Sequence, residues 1–325
     1  MHFALQICFF VLLSAEYLVR LEKLFLKEGL TKIMSEIIST IINGLSQGGV
    51  YALIALGYTM VYGIAKMLNF AHGDIIMVGS YAAFVVVGMM SSSPFLAIFI
   101  AVVVCTALGI LVERLAYRPL RGAPSLSVLI TAIGVSYLLQ SLAQIIFGAT
   151  PVMVPMFDFK FVDIGGISIK IQSLITLAVC AVVIVLLLFV IKKTKVGRAM
   201  VAVSEDRGAA QLMGVNVNRT IAITFAIGSA LAALAGIFSL FVSPVTSPTF
   251  GALPGIKAFV AAVIGGIGSI PGAAIGGIIL GVVEQFALSV PFLSPYADAI
   301  VFSILIVVLL VRPTGILGKK QREKV

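Results

Sequence analysis

Charge is scarce in this sequence: Asp, Glu, Lys and Arg make up 11% of its 325 residues, whereas 61% are hydrophobic. Soluble chains devote roughly a quarter of their residues to these four types. Too little polar surface is therefore available to face water, which excludes a soluble enzyme. Hydrocarbon tolerates only helices and closed barrels, and long uninterrupted apolar runs are unlike barrel strands. The sequence predicts an all-α, polytopic integral membrane protein.

Metal-binding and nucleophilic residues are scarce as well. Cys8, Cys105 and Cys180 are widely spaced in apolar sequence, and the two histidines are His2 and His72. This distribution gives no disulfide framework and no metal or catalytic constellation. The sequence also has no Gly-x4-Gly-Lys-Ser/Thr motif, so it lacks a P-loop for ATP. We expect no catalytic residue, no metal and no cofactor in this chain.

The apolar runs predict about eight transmembrane helices plus a short or re-entrant helix, because one crossing takes about 20 residues. The breaker cluster at 91–94 divides one long run into two spans. Segment 256–290 is too long for one crossing and is interrupted by glycines, so we interpret it as a hairpin of a short piece and a full helix. The other spans are 37–62, 73–90, 95–113, 125–147, 172–191, 220–242 and 297–311.

The net charge of +9 comes from short basic clusters between apolar runs, which indicates membrane topology and not nucleic-acid binding. Lys and Arg concentrate in 114–121, 192–219 and 312–324. Cytoplasmic loops carry such an excess, so we expect these segments and the C-terminus in the cytoplasm. Segments 148–172 and 243–255 carry balanced charge or none and are expected on the outer face.

Residues 1–33 do not fit this topology, because their basic residues favour the cytoplasm where the span count requires the outside. No Lys or Arg precedes the apolar stretch 3–15, and no small-x-small site follows it, which argues against a signal peptide. Codons for Lys27 to Gly29 can form a purine-rich ribosome-binding sequence. We therefore expect translation to begin at Met34, with 34–325 as the membrane domain. A peripheral helix is the alternative.

The longest predicted cytoplasmic loop, 192–219, has the pattern of two short helices in series. Ser204 can cap the second helix, the acidic residues after it favour the first turn, and Gly214 can end it. Arginines would hold both helices near the membrane surface. A docking surface is one interpretation of this loop, and an ordinary interfacial helix is the other.

Small residues recur every four positions in the predicted 256–290 hairpin. In lipid the hydrophobic effect gives no help, and such spacing lets helices approach closely. Packing within the chain is the commoner use of such residues, and a pathway-lining or partner-facing surface is the alternative. The residues assigned to helix packing are Gly268, Gly272, Gly276, Gly277 and Gly281.

Polar residues inside spans are costly and indicate function by default. Gly63 and Gly73 flank the segment from Asn69 to Asp74 and would permit broken helical structure beside a cavity. For Glu284, a hydrogen bond to a neighbouring helix is an equal alternative to a role in the pathway. The candidate pathway residues are Asn69, His72, Asp74 and Glu284.

Five motifs occur in order along the chain: Tyr51 to Gly63, Leu68-Asn69-Phe70-Ala71-His72-Gly73-Asp74, Tyr117-Arg118-Pro119, Gly265 to Ala273 and Arg312 to Gly318. Together they resemble the H-type permease subunit of high-affinity branched-chain amino acid ABC importers. The resemblance covers about 36–325 in order. Ala209-Ala210 with Gly214 also resembles the Glu-Ala-Ala-x3-Gly loop by which importer permeases engage their ATPases, although Gly208 stands where Glu is expected.

The resemblance implies a permease for branched-chain amino acids in the cytoplasmic (inner) membrane of a bacterium. It implies a homologous second permease, two cytoplasmic ATPase subunits that bind ATP, and an extracytoplasmic amino-acid-binding protein. Alternatives are a permease for urea or another small polar solute, and an ion-coupled secondary transporter, for which we find no convincing repeat and no clustered carboxylates. The residues expected to couple to the ATPase are Glu205, Asp206, Arg207, Ala209, Ala210 and Gly214.

Overall fold

The chain folds almost entirely into helices. A computed structural model describes residues 29–90, 93–154, 161–164 and 167–318. In these ranges seven helices are long and apolar enough to cross a membrane, and two apolar helices are shorter. The predicted polytopic helical fold is confirmed. The helices are α1 (Gly29–Ala65), α2 (His72–Ala83), α3 (Pro94–Val112), α4 (Ser125–Phe147), α5 (Ile171–Lys193), α6 (Lys195–Glu205), α7 (Arg207–Leu212), α8 (Val217–Val242), α9 (Ala252–Gly265), α10 (Ile270–Ser289) and α11 (Ala297–Val311).

We expect translation to begin at Met34. Residues 1–28 lie outside the part of the chain that the structure describes. Helix α1 begins at Gly29 and runs through Met34 without a break. The start site stays a prediction.

Two helices continue into π-helical turns. Helix α2 is followed directly by Phe84–Met89, and α3 by Glu113–Tyr117. With its extension α2 covers 72–89, against the predicted span 73–90. The extension of α3 carries Glu113 and Tyr117, both buried, to the end of the bundle. Such turns occur frequently at functional sites.

Segment 256–290 contains the short helix α9, of 14 residues, and the full-length helix α10, of 20 residues. The loop between them uses Gly266 and Gly268 at φ 106° and 92°, a region that residues with a Cβ rarely adopt. The hydroxyl of Ser269 then caps α10 by accepting from Gly272 N at 3.3 Å. The predicted division into a short piece and a full helix is therefore present.

Two short antiparallel strand pairs lie outside the helices. Strand β1 (Val152–Met153) pairs with β4 (Val245–Thr246), and β2 (Phe161–Ile164) pairs with β3 (Ile167–Lys170). The β1–β4 pair joins the two segments that the charge pattern predicts on the outer face. Both segments therefore lie at the same end of the bundle, here called the strand end.

The basic segments meet at the other end, here called the basic end. Arg121, after α3, donates to the side chain of Asn218 at the start of α8. Arg207 donates to the carbonyl oxygen of Ala65 at the end of α1. Backbone amides of the segment after α11 donate to carbonyl oxygens at the end of α9. The contacts agree with the charge pattern, which predicts these segments on one side of the membrane.

Helices α1 and α10 pack through glycine. A Cβ built at Gly48 would meet the Cα of Ile278 at 2.7 Å. A Cβ at Gly277 would overlap the backbone of Ala52, and one at Gly281 would overlap the backbone of Gly48. Backbone contact of this kind is how small residues hold helices together in lipid.

The opposite face of α10 packs against α9 in the same way. A Cβ at Gly272 would overlap the carbonyl oxygen of Gly265, and one at Gly276 would overlap that of Ala261. Gly268 is not part of this face: a Cβ there would meet no atom within 4 Å. Gly268 precedes the helix and shapes the loop, so the packing stripe begins at Gly272.

Replacing Gly276 with leucine should destabilise the protein by about 1–3 kcal/mol, because the side chain would have to displace the backbone of α9. The thermal midpoint of the detergent-extracted protein, followed by size-exclusion chromatography, measures this. Gly134 provides the matched control, since it lies exposed on α4 and a Cβ there meets no atom within 4 Å. Equal midpoints for Gly276→Leu and Gly134→Leu would contradict the assigned packing.

Candidate functional site

A cleft of about 370 Å³ opens between α2, α4 and α9. Ligand sites typically have volumes of this order. Its walls differ in polarity. The polar wall includes Tyr58, Asp74, Ser136 and Gln140, and the apolar wall includes Phe70, Ile133, Ile256 and Phe259.

Asp74 is positioned by the broken backbone between α1 and α2. The chain leaves α1 through Lys66, whose φ is +52°, and α2 begins at His72, so Asp74 lies in the first helical turn. The positive end of the helix dipole there favours a carboxylate. A Cβ at Gly73 would meet the carbonyl oxygen of Gly251 at 2.6 Å. Glycine therefore allows the starts of α2 and α9 to meet beside the cleft.

The Asp74 carboxylate has neutral partners. Gln140 Nε2 donates to Asp74 Oδ1 at 2.8 Å and to Ser136 Oγ at 3.2 Å. Asp74 is only 3% exposed. Among the described residues, no Lys, Arg or His forms an ion pair with it. A buried carboxylate without a cation is energetically costly, and this one borders an open cleft.

The other two candidates near Asp74 face the bundle interior. Asn69 Oδ1 accepts from the hydroxyl of Tyr117 at 2.8 Å. The His72 ring packs edge-on against Tyr58, with centroids 4.7 Å apart. It fits because residue 57 is glycine, where a Cβ would meet His72 Cε1 at 2.6 Å. Neither Asn69 nor His72 lines the cleft.

Glu284, the fourth candidate, belongs to a separate group, here called the Lys257 triad. Lys257 Nζ on α9 lies 2.6 Å from Glu284 Oε1 on α10 and 2.6 Å from Asp298 Oδ1 on α11. Lys257 and Glu284 are buried, whereas Asp298 is about half exposed, with 53% of its side chain accessible. The triad connects three helices, and the structure does not bring Glu284 to the cleft.

Lys257 was not predicted as a site residue, because it separates two charge-free runs and therefore marks only a boundary between them. A signal was available: it is the sole charged residue between Arg219 and Glu284. One lysine in so long an apolar segment requires a partner, since isolated charges in spans are costly.

In the 192–219 loop the structure has two helices in series, but the predicted cap is wrong. Asp206 caps α7, its Oδ1 accepting from Ala209 N at 3.0 Å. The hydroxyl of Ser204 instead donates to Val201 O at 2.7 Å. The reason is that α6 continues through Glu205, which leaves Ser204 inside its last turn.

The surface of α7 also differs from the expectation. Ala210 is buried, and Arg207 bonds to the membrane domain, so these two residues face inward. Of the residues predicted to couple, Glu205, Asp206, Ala209 and Gly214 are exposed. The neighbouring Leu212 and Met213 are 90% and 84% exposed. Gly214 follows at φ +81°, a conformation typical of a helix-ending glycine.

A second cleft, of about 400 Å³, lies beside α7 at the basic end and is lined by Arg121, Arg207, Gln211 and Asn218 among others. Arg121 and Arg207 both line this cleft, and Arg121 also forms an ion pair with the buried Glu113. The exposed side chains of Leu212 and Met213 lie beside this cleft, and such a surface is suited to binding another protein.

A bundle of apolar helices with a polar cleft and an exposed loop surface defines a polytopic helical membrane protein. Residues 40–310 match the family described as branched-chain amino acid transport system, permease component. Since the match covers most of the chain, the protein belongs to this family.

Individual relatives agree with the match. The chain is 46% identical over 298 residues to the high-affinity branched-chain amino acid transport system permease protein BraD of Pseudomonas aeruginosa, covering 88% of this chain and 97% of that protein. It is 43% identical over 301 residues to LivH of Escherichia coli K12, a permease of the same description, covering 87% and 96%. The ribose import permease protein RbsC of Haemophilus influenzae is 27% identical over 285 residues, covering 83% and 84%.

Proposed function

We propose that this chain is a permease subunit of an ABC importer that carries branched-chain amino acids across the cytoplasmic membrane of a bacterium. The observation that carries the proposal is the identity of 43–46% to BraD and LivH over most of both chains. The ribose permease is a more distant relative, at 27%.

The energy for transport comes from other subunits in this proposal. The sequence has no P-loop motif, which agrees with ATP being bound by separate subunits. The resemblance to importer permeases implies two cytoplasmic ATPases in this role. A homologous second permease completes the pathway, and an extracytoplasmic binding protein delivers the amino acid. The exposed Leu212 and Met213, beside the cleft at the basic end, support α7 as the surface that receives the ATPase.

The basic end faces the cytoplasm in this proposal, and the strand end faces outward. Arg121, Arg207 and the segment after α11 share the basic end. Because cytoplasmic loops are rich in Lys and Arg, this arrangement supports a cytoplasmic C-terminus.

Uptake by intact cells tests the substrate. The chain is expressed with its native partner subunits in a bacterial strain that lacks high-affinity uptake of branched-chain amino acids. We expect radiolabelled leucine uptake, and excess isoleucine or valine should compete with it while urea and ribose should not. Urea uptake without leucine uptake would contradict the proposed substrate.

The same cells separate ATP-driven from ion-coupled transport. A substitution that inactivates the ATPase subunits should abolish leucine uptake. A protonophore given while cellular ATP is maintained should leave it intact. The opposite pattern would identify an ion-coupled secondary transporter.

A further inference from the structure

We propose that the cleft between α2, α4 and α9 is a substrate-binding site, in which Asp74 binds the ammonium group of the amino acid and the apolar wall binds its side chain. This inference rests on the proposed function and adds where the substrate contacts this subunit.

The charge of the cleft selects a cationic group. Asp74 is buried, and its partners are Gln140, Ser136 and a backbone N–H, none of which carries a charge. An ionised carboxylate has about four acceptor positions, so these partners do not fill it. An ammonium group supplies both the missing positive charge and additional donors. Hydrogen bonds between charged partners are roughly twice as strong as neutral ones.

The apolar lining suits a branched alkyl side chain. Phe259 packs against Phe70, with ring centroids 5.8 Å apart, and against the ring of Tyr58, with centroids 6.0 Å apart. Ile133 and Ile256 extend the same wall. Pockets for small ligands combine such an apolar lining with a few placed polar groups. The two walls together match a molecule that carries an ammonium group next to a hydrocarbon side chain.

The backbone beside the cleft also indicates a pathway. Helices α2 and α9 both begin here, at His72 and Ala252, with Gly73 against Gly251. Irregular backbone at membrane depth is tolerated only where it is buried in protein or lines a water-filled cavity. Since Asp74 borders the cleft, the cleft must face water or protein and not lipid.

Cysteine protection tests the site directly. The background variant has alanine in place of Cys8, Cys105 and Cys180, and Ile133→Cys is introduced in the cleft. The complex is purified in detergent with its native partner permease and ATPases. It then reacts with a methanethiosulfonate reagent, and the labelling rate is measured. Without binding protein present, millimolar leucine should slow labelling several-fold. 2-Hydroxy-4-methylpentanoate, in which a hydroxyl replaces the ammonium group, should have no effect.

Leu138→Cys is the matched control, because Leu138 is exposed on the same helix and does not line the cleft. Leucine should leave its labelling rate unchanged. Equal leucine effects at positions 133 and 138 would indicate a global change of the complex and would overturn the site.

Asp74→Asn tests the role of the charge. Asparagine keeps the shape and can still accept from Gln140, but it lacks the negative charge. The leucine concentration needed for half-protection of Ile133→Cys should rise by about 10-fold or more. Basal ATPase activity and the elution volume of the complex report whether it still assembles.

The outcomes separate this inference from the proposed function. Two results would overturn the site and leave the proposed function intact. In the first, the wild-type complex imports leucine but leucine does not protect Ile133→Cys. In the second, Asp74→Asn imports leucine at the wild-type rate. If Asp74→Asn prevents assembly and Ile133→Cys is unprotected, Asp74 pairs with a cation of the second permease, which also overturns the site. If the wild-type complex imports no leucine, both fall.

Discussion

Replacing Leu212 and Met213 together with serine is expected to abolish leucine uptake while the membrane domain stays folded. The two side chains are 90% and 84% exposed at the end of α7, so their removal affects no core. Burying each side chain against a partner contributes about 1.5–3 kcal/mol. Losing both should weaken ATPase association by about 100-fold or more, since 1.4 kcal/mol corresponds to a factor of ten. Co-purification of the ATPase subunits and transport-stimulated ATPase activity measure the loss.

Leu288→Ser is the control for this pair, because Leu288 is also exposed but lies near the end of α10, far along the helix from the basic end. It should retain ATPase subunits and uptake. Gly214→Val should act like the pair, because its φ of +81° strains a residue with a Cβ by about 1–2 kcal/mol. Wild-type ATPase recovery in the Leu212/Met213 variant would remove α7 from the coupling mechanism.

Lys257→Met is expected to destabilise the protein by about 3–5 kcal/mol, because it leaves the buried carboxylate of Glu284 without its cation. Methionine fills a similar volume, so the effect reports charge and not packing. The thermal midpoint of the purified protein, or its unfolding in denaturant, measures the difference.

The double variant Lys257→Met/Glu284→Gln separates the pair from the individual residues. Replacing a whole buried ion pair by neutral groups is often close to neutral, so the double variant should regain most of the lost stability. Asp298→Asn should cost much less, since this carboxylate is half exposed and can be solvated. A Lys257→Met protein as stable as the wild type would contradict a structural role for the triad.

The membrane spans could be predicted because each depends on local composition. The predicted span 125–147 coincides with α4 (Ser125–Phe147), and 297–311 coincides with α11 (Ala297–Val311). The charge pattern likewise predicted that 148–172 and 243–255 share one end, which the β1–β4 pair shows. The strands themselves were not predicted, because two-residue pairings depend on how distant helices place the chain.

The candidate sites were less predictable, because they depend on contacts between distant segments. Asp74 and Gln140 are 66 positions apart, and only the packing of α4 against α2 brings them to one cleft. Glu284 and Asp74 are both acidic residues in apolar sequence. Glu284, however, pairs with Lys257 and belongs to the Lys257 triad and not to the cleft. The cap at Asp206 was missed because both Ser204 and Asp206 suit that role, and local preference does not show where α6 ends.

We propose that this chain, with its partners, imports branched-chain amino acids at the expense of ATP. Uptake of radiolabelled leucine into proteoliposomes that contain the purified two-permease, two-ATPase complex tests it most directly. We predict that leucine accumulates only when ATP is present on the ATPase side and the loaded binding protein on the other. Accumulation driven by an ion gradient without ATP, or none with every component present, would contradict the account.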